Sequence, residues 1–246
     1  MLKHPTVDKL LEMKLTGMLS ALQQQIDMPE LQSLTFEDRL GLLIDAEFSE
    51  RETTQLSKRL KAAKLRQTAC LEDLDFKPGR GLDKLLIGQL AECDWIKKNM
   101  NIMIVGPTGV GKSYVSCALG QKACRSGHTV AYFRAPRFFQ ELTIARLGGT
   151  YERFLKRLQT FKVLVLDDFA LVPITEEQCR DMLEVADDSG SFVISSQLPV
   201  KDWYQTFANS TLADAILDRV VHGSYRINLT GPSRRKNKTG SNEQQT

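Results

Sequence analysis

The sequence predicts an α/β protein, with a three-layer α/β/α core on a five-stranded parallel sheet preceded by a small all-helical domain. One observation is a glycine-rich loop, Gly106-Pro107-Thr108-Gly109-Val110-Gly111-Lys112-Ser113. It fits G-x-x-x-x-G-K-[ST] at every fixed position and lies between an apolar run, Ile102 to Val105, and a helical pattern, Tyr114 to Ala123. A second is a set of nearly continuous apolar runs, at Asn101–Val105, Thr129–Phe133, Val163–Asp167, Phe192–Ser196 and Tyr225–Leu229, alternating with helical patterns. Parallel strands covered on both faces read this way. A third is the contrast with the chain before the loop, where apolar residues recur only at helical spacing.

Taken in order, the elements begin with a helix over Thr6–Gln25, carried by Val7, Leu10, Leu11, Leu15, Met18, Leu19 and Leu22 and ended by Pro29. A second helix starts near Thr35, where Thr35-Phe36-Glu37-Asp38 resembles a capping box, and runs through Leu40, Leu42, Leu43, Ile44 and Phe48. The segment Arg51 to Arg66 carries Arg51, Lys58, Arg59, Lys61, Lys64 and Arg66 against one acid, Glu52. On a helical wheel Leu56, Leu60 and Ala63 share a face roughly opposite Arg51, Lys58 and Arg66. Such a one-sided bias reads either as a solvated face or as a surface for DNA phosphates, and the second reading takes Arg51, Lys58, Arg59, Lys61 and Arg66 as contacts. Leu71 to Gly79 is a polar, proline-ended connector, so the expected domains are residues 1–70 and 71–232. Leu82 to Leu90 reads as a short helix. A basic tail, 233–246, reads as disordered.

Composition excludes several classes. Hydrophobic residues make up 42% and charged residues 26% of 246 residues, as in a chain with a sizeable core. A net charge of +3 says little by itself, so a nucleic-acid reading rests on where the cations lie. Cys70, Cys93, Cys117, Cys124 and Cys179 form no CxxC pair or zinc pattern, and His4, His128 and His222 are far apart. Reduced thiols and a cytoplasmic location are expected, with neither a signal peptide nor a membrane span.

The loop carries the chemistry. Its glycines let backbone N–H groups turn toward phosphate oxygens at the positive end of a helix dipole. Lys112 would reach the β- and γ-phosphates of ATP and the Ser113 hydroxyl would hold Mg²⁺. Val163-Leu164-Val165-Leu166-Asp167-Asp168 is a strand ending in two acids; Asp167 suits the metal and Asp168 the attacking water. Phe192 to Gln197 is another strand with a polar end, where Gln197, or Ser196 as the alternative, would meet the γ-phosphate.

These stretches, with Ala215-Ile216-Leu217-Asp218-Arg219, resemble AAA+ ATPases of the helicase-loader branch that includes DnaC. More closely, the chain is similar to the IstB-like ATP-binding proteins of insertion-sequence transposition. That similarity extends to Phe36-Glu37-Asp38-Arg39-Leu40, Arg59-Leu60-Lys61-Ala62-Ala63-Lys64-Leu65, Leu71-Glu72-Asp73-Leu74-Asp75-Phe76 and Gly231-Pro232-Ser233-Arg234-Arg235. The resemblance implies an ATPase that self-assembles on duplex DNA, marks a target, and recruits and stimulates a transposase. It makes Gln197 the first sensor and Arg219 the arginine finger given to a neighbouring subunit. Asp168 stands where many relatives have Glu, Gln197 where Asn or Thr is usual, and Pro232 departs from the pattern that would make Arg235 a second sensor. A DnaC-like helicase loader and a small-molecule P-loop kinase are the rival readings. Arg219 and the cationic helix have no role in the latter.

Overall fold

A computed structural model describes residues 5–234, so the basic tail from Arg235 onward lies outside the described residues. The chain divides between Lys58 and Arg59 into two compact units.

The first unit holds α1 (Pro5–Glu12), α2 (Thr16–Asp27) and most of α3 (Phe36–Ala63). The single helix expected over Thr6–Gln25 is therefore two. Lys14 takes a left-handed backbone at φ 58°, the Leu15 N–H reaches the Leu10 carbonyl at 2.9 Å, and the Lys14 N–H reaches that of Leu11 at 2.9 Å. That pair of bonds is a Schellman ending, formed here on a lysine where glycine is usual. The second expected helix is α3, a single helix where the sequence suggested a helix and then a basic segment. Thr35 caps it, accepting from the Asp38 N–H at 3.2 Å and donating to Asp38 Oδ2 at 2.7 Å. Gly17 lets α2 lie directly on α3, because a Cβ there would stand 2.6 Å from the Glu47 Cα. Glu47, buried, accepts from the N–H groups of Gly17 (2.9 Å) and Met18 (3.2 Å), so α3 caps α2 with a carboxylate.

The division falls within α3, earlier than the boundary expected at residue 70. Ala63, Ala69 and Leu71 are already buried, and Arg59 Nε donates to the Cys124 carbonyl at 2.9 Å. The second unit also contains α4 (Lys84–Ala91), α5 (Asp94–Lys97) and a parallel sheet of order β2-β3-β4-β1-β5. Its strands are β1 (Ile102–Val105), β2 (Val130–Arg134), β3 (Val163–Phe169), β4 (Ser191–Ser196) and β5 (Tyr225–Asn228), close to the five apolar runs. Between them run α6 (Lys112–Arg125), α7 (Ala135–Leu147), α8 (Tyr151–Gln159), α9 (Glu176–Asp188) and α10 (Ser210–Val221).

Both sheet faces are covered, as continuous apolar strands require. On β3, Leu164 and Leu166 join Phe138, Leu142, Met182 and Ile216 in one core. Val165 serves the other face, and Gly120 of α6 lies against it. Because β4 sits between β1 and β3, the polar end of β4 separates the glycine-rich loop from the two acids of β3. The five cysteines are free thiols, and burial pushes Cys124 up to about 11. No helix among the described residues is long and apolar enough to cross a membrane.

Candidate functional site

The loop from Gly106 to Ser113 joins β1 to α6. Gly106 has φ 152°, and a side chain there would strike the Leu229 carbonyl; Gly109 has φ 88° and lies against Ser233. Neither place admits a Cβ, so the glycines are dictated by close packing as well as by the turn. The Arg234 N–H reaches the Gly109 carbonyl at 2.9 Å and Arg80 reaches that of Val110 at 3.1 Å. Lys112 is buried, with Nζ donating to the carbonyls of Gly106 (2.7 Å) and Pro107 (2.8 Å). Its charge is thus held inside the loop that would wrap a phosphate chain.

A bulge separates the acids of β3. Leu166 pairs with Ile194 and Phe169 with Ser196, so β3 has one residue more than β4, and Asp168 adopts φ 58°. Bulges re-aim side chains beside sites. Asp167 is fully buried, accepting from Tyr132 at 2.6 Å on Oδ2 and from Ser195 on Oδ1. Burial raises its pKa, but the hydrogen bonds from Ser195, Tyr132 and Ser113 and the charge of Arg66 outweigh that and hold it below the usual carboxylate range. Arg66 Nη1 stands 3.6 Å from Asp167 Oδ2. Asp168, less buried, is paired with Arg134 of β2 at 2.9 Å.

Residues 66–234 thus form one cavity of about 380 Å³, lined by Thr108, Gly109, Gly111, Lys112, Ser113, Asp168 and Gln197. Arg66, Gln67, Leu74, Arg80, Tyr114, Val115 and Arg234 complete it. Thr108 donates to Gln197 Oε1 at 2.7 Å, joining the loop to the β4 end. Ser196 instead donates to the Phe169 carbonyl at 2.8 Å and is buried, which leaves Gln197, the residue just after β4, facing the cavity.

Magnesium fits this donor set. Ser113 and Asp167 are hard oxygen donors within hydrogen-bonding reach of each other. Among the described residues no cluster of three or more His, Cys, Asp or Glu side chains could hold a metal by itself. A sparse protein contribution suits an ion whose remaining ligands are phosphate and water.

Other expected residues lie elsewhere. Arg219 is on α10, engaged by Asp187 of α9 and by the Ala215 carbonyl at 2.9 Å, and does not line the cavity. Arg51 pairs with Glu47 at 2.6 Å and Arg59 is spent on the Cys124 carbonyl, while Lys58 and Lys61 are exposed. Arg66 is not on the cationic face at all, because α3 ends at Ala63 and Lys64 takes φ 50°. Arg235 lies outside the described residues. Tyr132, Ser195, Arg134, Arg80 and Arg234 were not expected; they arrive from β2, β4 and the segments before β1 and after β5, which no single motif joins.

Known proteins resemble this chain in sequence and in fold. The family described as "IstB-like ATP binding protein" matches residues 8–242. An insertion sequence ATP-binding protein of Sinorhizobium fredii, y4pL, is 46% identical over 240 residues, covering 96% of this chain and 98% of that protein. Among solved structures, AMPPCP-bound DnaA from Aquifex aeolicus superposes with a TM-score of 0.58 at 18% identity, over 74% of this chain and 58% of that one. The DnaC helicase loader superposes with a TM-score of 0.52 at 16% identity, over 66% and 97%. These two show an AAA+ fold alone. With a matching family that spans almost its whole length, the chain belongs to the IstB-like ATP-binding proteins, built on an AAA+ core behind a helical N-terminal region.

Proposed function

We propose that this chain is a magnesium-dependent ATPase that assembles on duplex DNA and serves an insertion sequence by selecting target DNA and recruiting and stimulating its transposase. The observation that carries this reading is the convergence of Lys112, Ser113, Asp168 and Gln197 on one cavity beside Asp167, in a chain whose relatives are insertion-sequence ATP-binding proteins along their length.

Each residue has a task. The loop N–H groups and Lys112 bind the triphosphate, which draws Lys112 Nζ off the loop carbonyls. Ser113 and Asp167 would hold Mg²⁺, which supplies charge neutralisation on the β- and γ-phosphates. Asp168 orients the attacking water, and does so once Arg134 no longer claims its carboxylate. Gln197 contacts the γ-phosphate or that water. Arg219, outside its own cavity, serves a neighbouring copy in this reading, so turnover requires assembly. The exposed cations of α3 meet DNA phosphates.

The AAA+ fold shared with DnaC favours a second reading as a helicase loader, but DnaC matches 66% of this chain and y4pL 96%. A direct test offers purified protein duplex DNA, single-stranded DNA, a cognate insertion-sequence transposase and a replicative helicase, each with a non-hydrolysable ATP analogue or ADP. Analogue-dependent assembly on duplex DNA with retention of the transposase supports the proposal. Preference for single-stranded DNA and the helicase favours the loader.

A further inference from the structure

Arg66 follows the end of α3 by three residues and lines the nucleotide cavity together with Gln67, Ser113 and Asp168. Its guanidinium is partly exposed, with 44% of the side chain accessible, whereas the Asp167 carboxylate it faces at 3.6 Å is fully enclosed. It also hydrogen-bonds Tyr132, whose hydroxyl donates to the same oxygen, Asp167 Oδ2. A buried carboxylate needs a compensating cation. Here an arginine from the segment after α3 supplies one, at the group the proposed function assigns to the metal.

We propose that Arg66 is a positioning residue of the metal site, competing with the divalent cation for Asp167 and so setting the metal concentration at which the nucleotide complex forms. Two cations with one enclosed carboxylate between them repel, and the partly exposed one, which can turn to solvent, yields. Asp167 keeps its Ser195 and Tyr132 hydrogen bonds throughout, so its orientation does not depend on which cation is present. Arg66 therefore withholds the site from metal at low concentration without blocking the loop. This rests on the reading of Asp167 as a metal ligand.

The test is binding of Mn²⁺ to protein carrying a non-hydrolysable ATP analogue, read by electron paramagnetic resonance in the parent chain and in Arg66→Gln, Arg66→Lys and Asp167→Asn. Arg66→Gln should lower the Mn²⁺ concentration for half-saturation by at least about fivefold, the effect of one unit charge at this range even in bulk water. Arg66→Lys keeps the charge and should stay within about twofold of the parent, which a purely structural role for Arg66 would not produce. Equal or weaker Mn²⁺ binding in Arg66→Gln, with Asp167→Asn strongly impaired, overturns the competition while leaving Asp167 as the ligand. Unchanged binding in Asp167→Asn removes the metal from Asp167 and overturns both readings.

Discussion

Asp168 and Arg134 form an ion pair across the ends of two neighbouring strands, and that pairing frames what the second acid can do. Asp168→Asn preserves shape but loses the charge that orients water. Nucleotide affinity should persist while turnover falls about 10²-fold, measured as phosphate release under saturating ATP. Normal hydrolysis by this variant would give the water to another residue. Lys112, Ser113, Asp167 and Asp168 were legible in the sequence because motif spacing and a strand end fix them within a few residues. Arg66, Tyr132 and Ser195 were not. Tyr132 and Ser195 meet Asp167 only after the sheet places β2 and β4 on either side of β3, Arg66 only through the turn after α3, and no local spacing encodes either.

At the scale of elements, the five strands were readable because burial on both faces writes continuous apolar runs. The break between α1 and α2 was hidden because its left-handed residue is Lys14, which carries no helix-stop signature. The cap on α2 was hidden because Glu47 comes from another helix. Its pKa is lowered, chiefly by the hydrogen bond from Arg51, which together with those from Met18 and Gly17 outweighs the opposing effect of burial. A lowered carboxylate stabilises the fold fully above its ordinary value of 4.5 and loses that contribution as pH falls through the folded value. Helicity of the N-terminal unit, followed by far-UV circular dichroism, should therefore decline more steeply below about pH 4.5 in the parent than in Glu47→Gln. Parallel curves would deny the carboxylate its capping role. The cationic face of α3 makes a separate claim. Arg59 is held by the Cys124 carbonyl, so Lys58→Ala with Lys61→Ala is the cleaner probe of DNA contact. The pair should flatten the log–log salt dependence of duplex binding by up to about two units, with assembly intact. An unchanged slope would return these lysines to a solvated surface.

Across the whole molecule, Arg219 does not line the cavity of its own chain, which fits a composite site completed by a second copy. Arg219→Ala and Asp168→Asn should each lose turnover alone. Mixed subunits should regain part of it, because some sites then combine an intact Asp168 with an intact Arg219. Failure of every mixture to recover would confine Arg219 to its contacts on α9 and α10. The expectations for turnover depend on ATP occupying the cavity around the glycine-rich loop. Calorimetric titration of ATP into Lys112→Ala tests that directly. Binding should be lost, since a charge-assisted contact to the β- and γ-phosphates is removed from an enclosed site. An affinity within about threefold of the parent, a difference under ~0.7 kcal/mol, would contradict the placement of ATP in this loop.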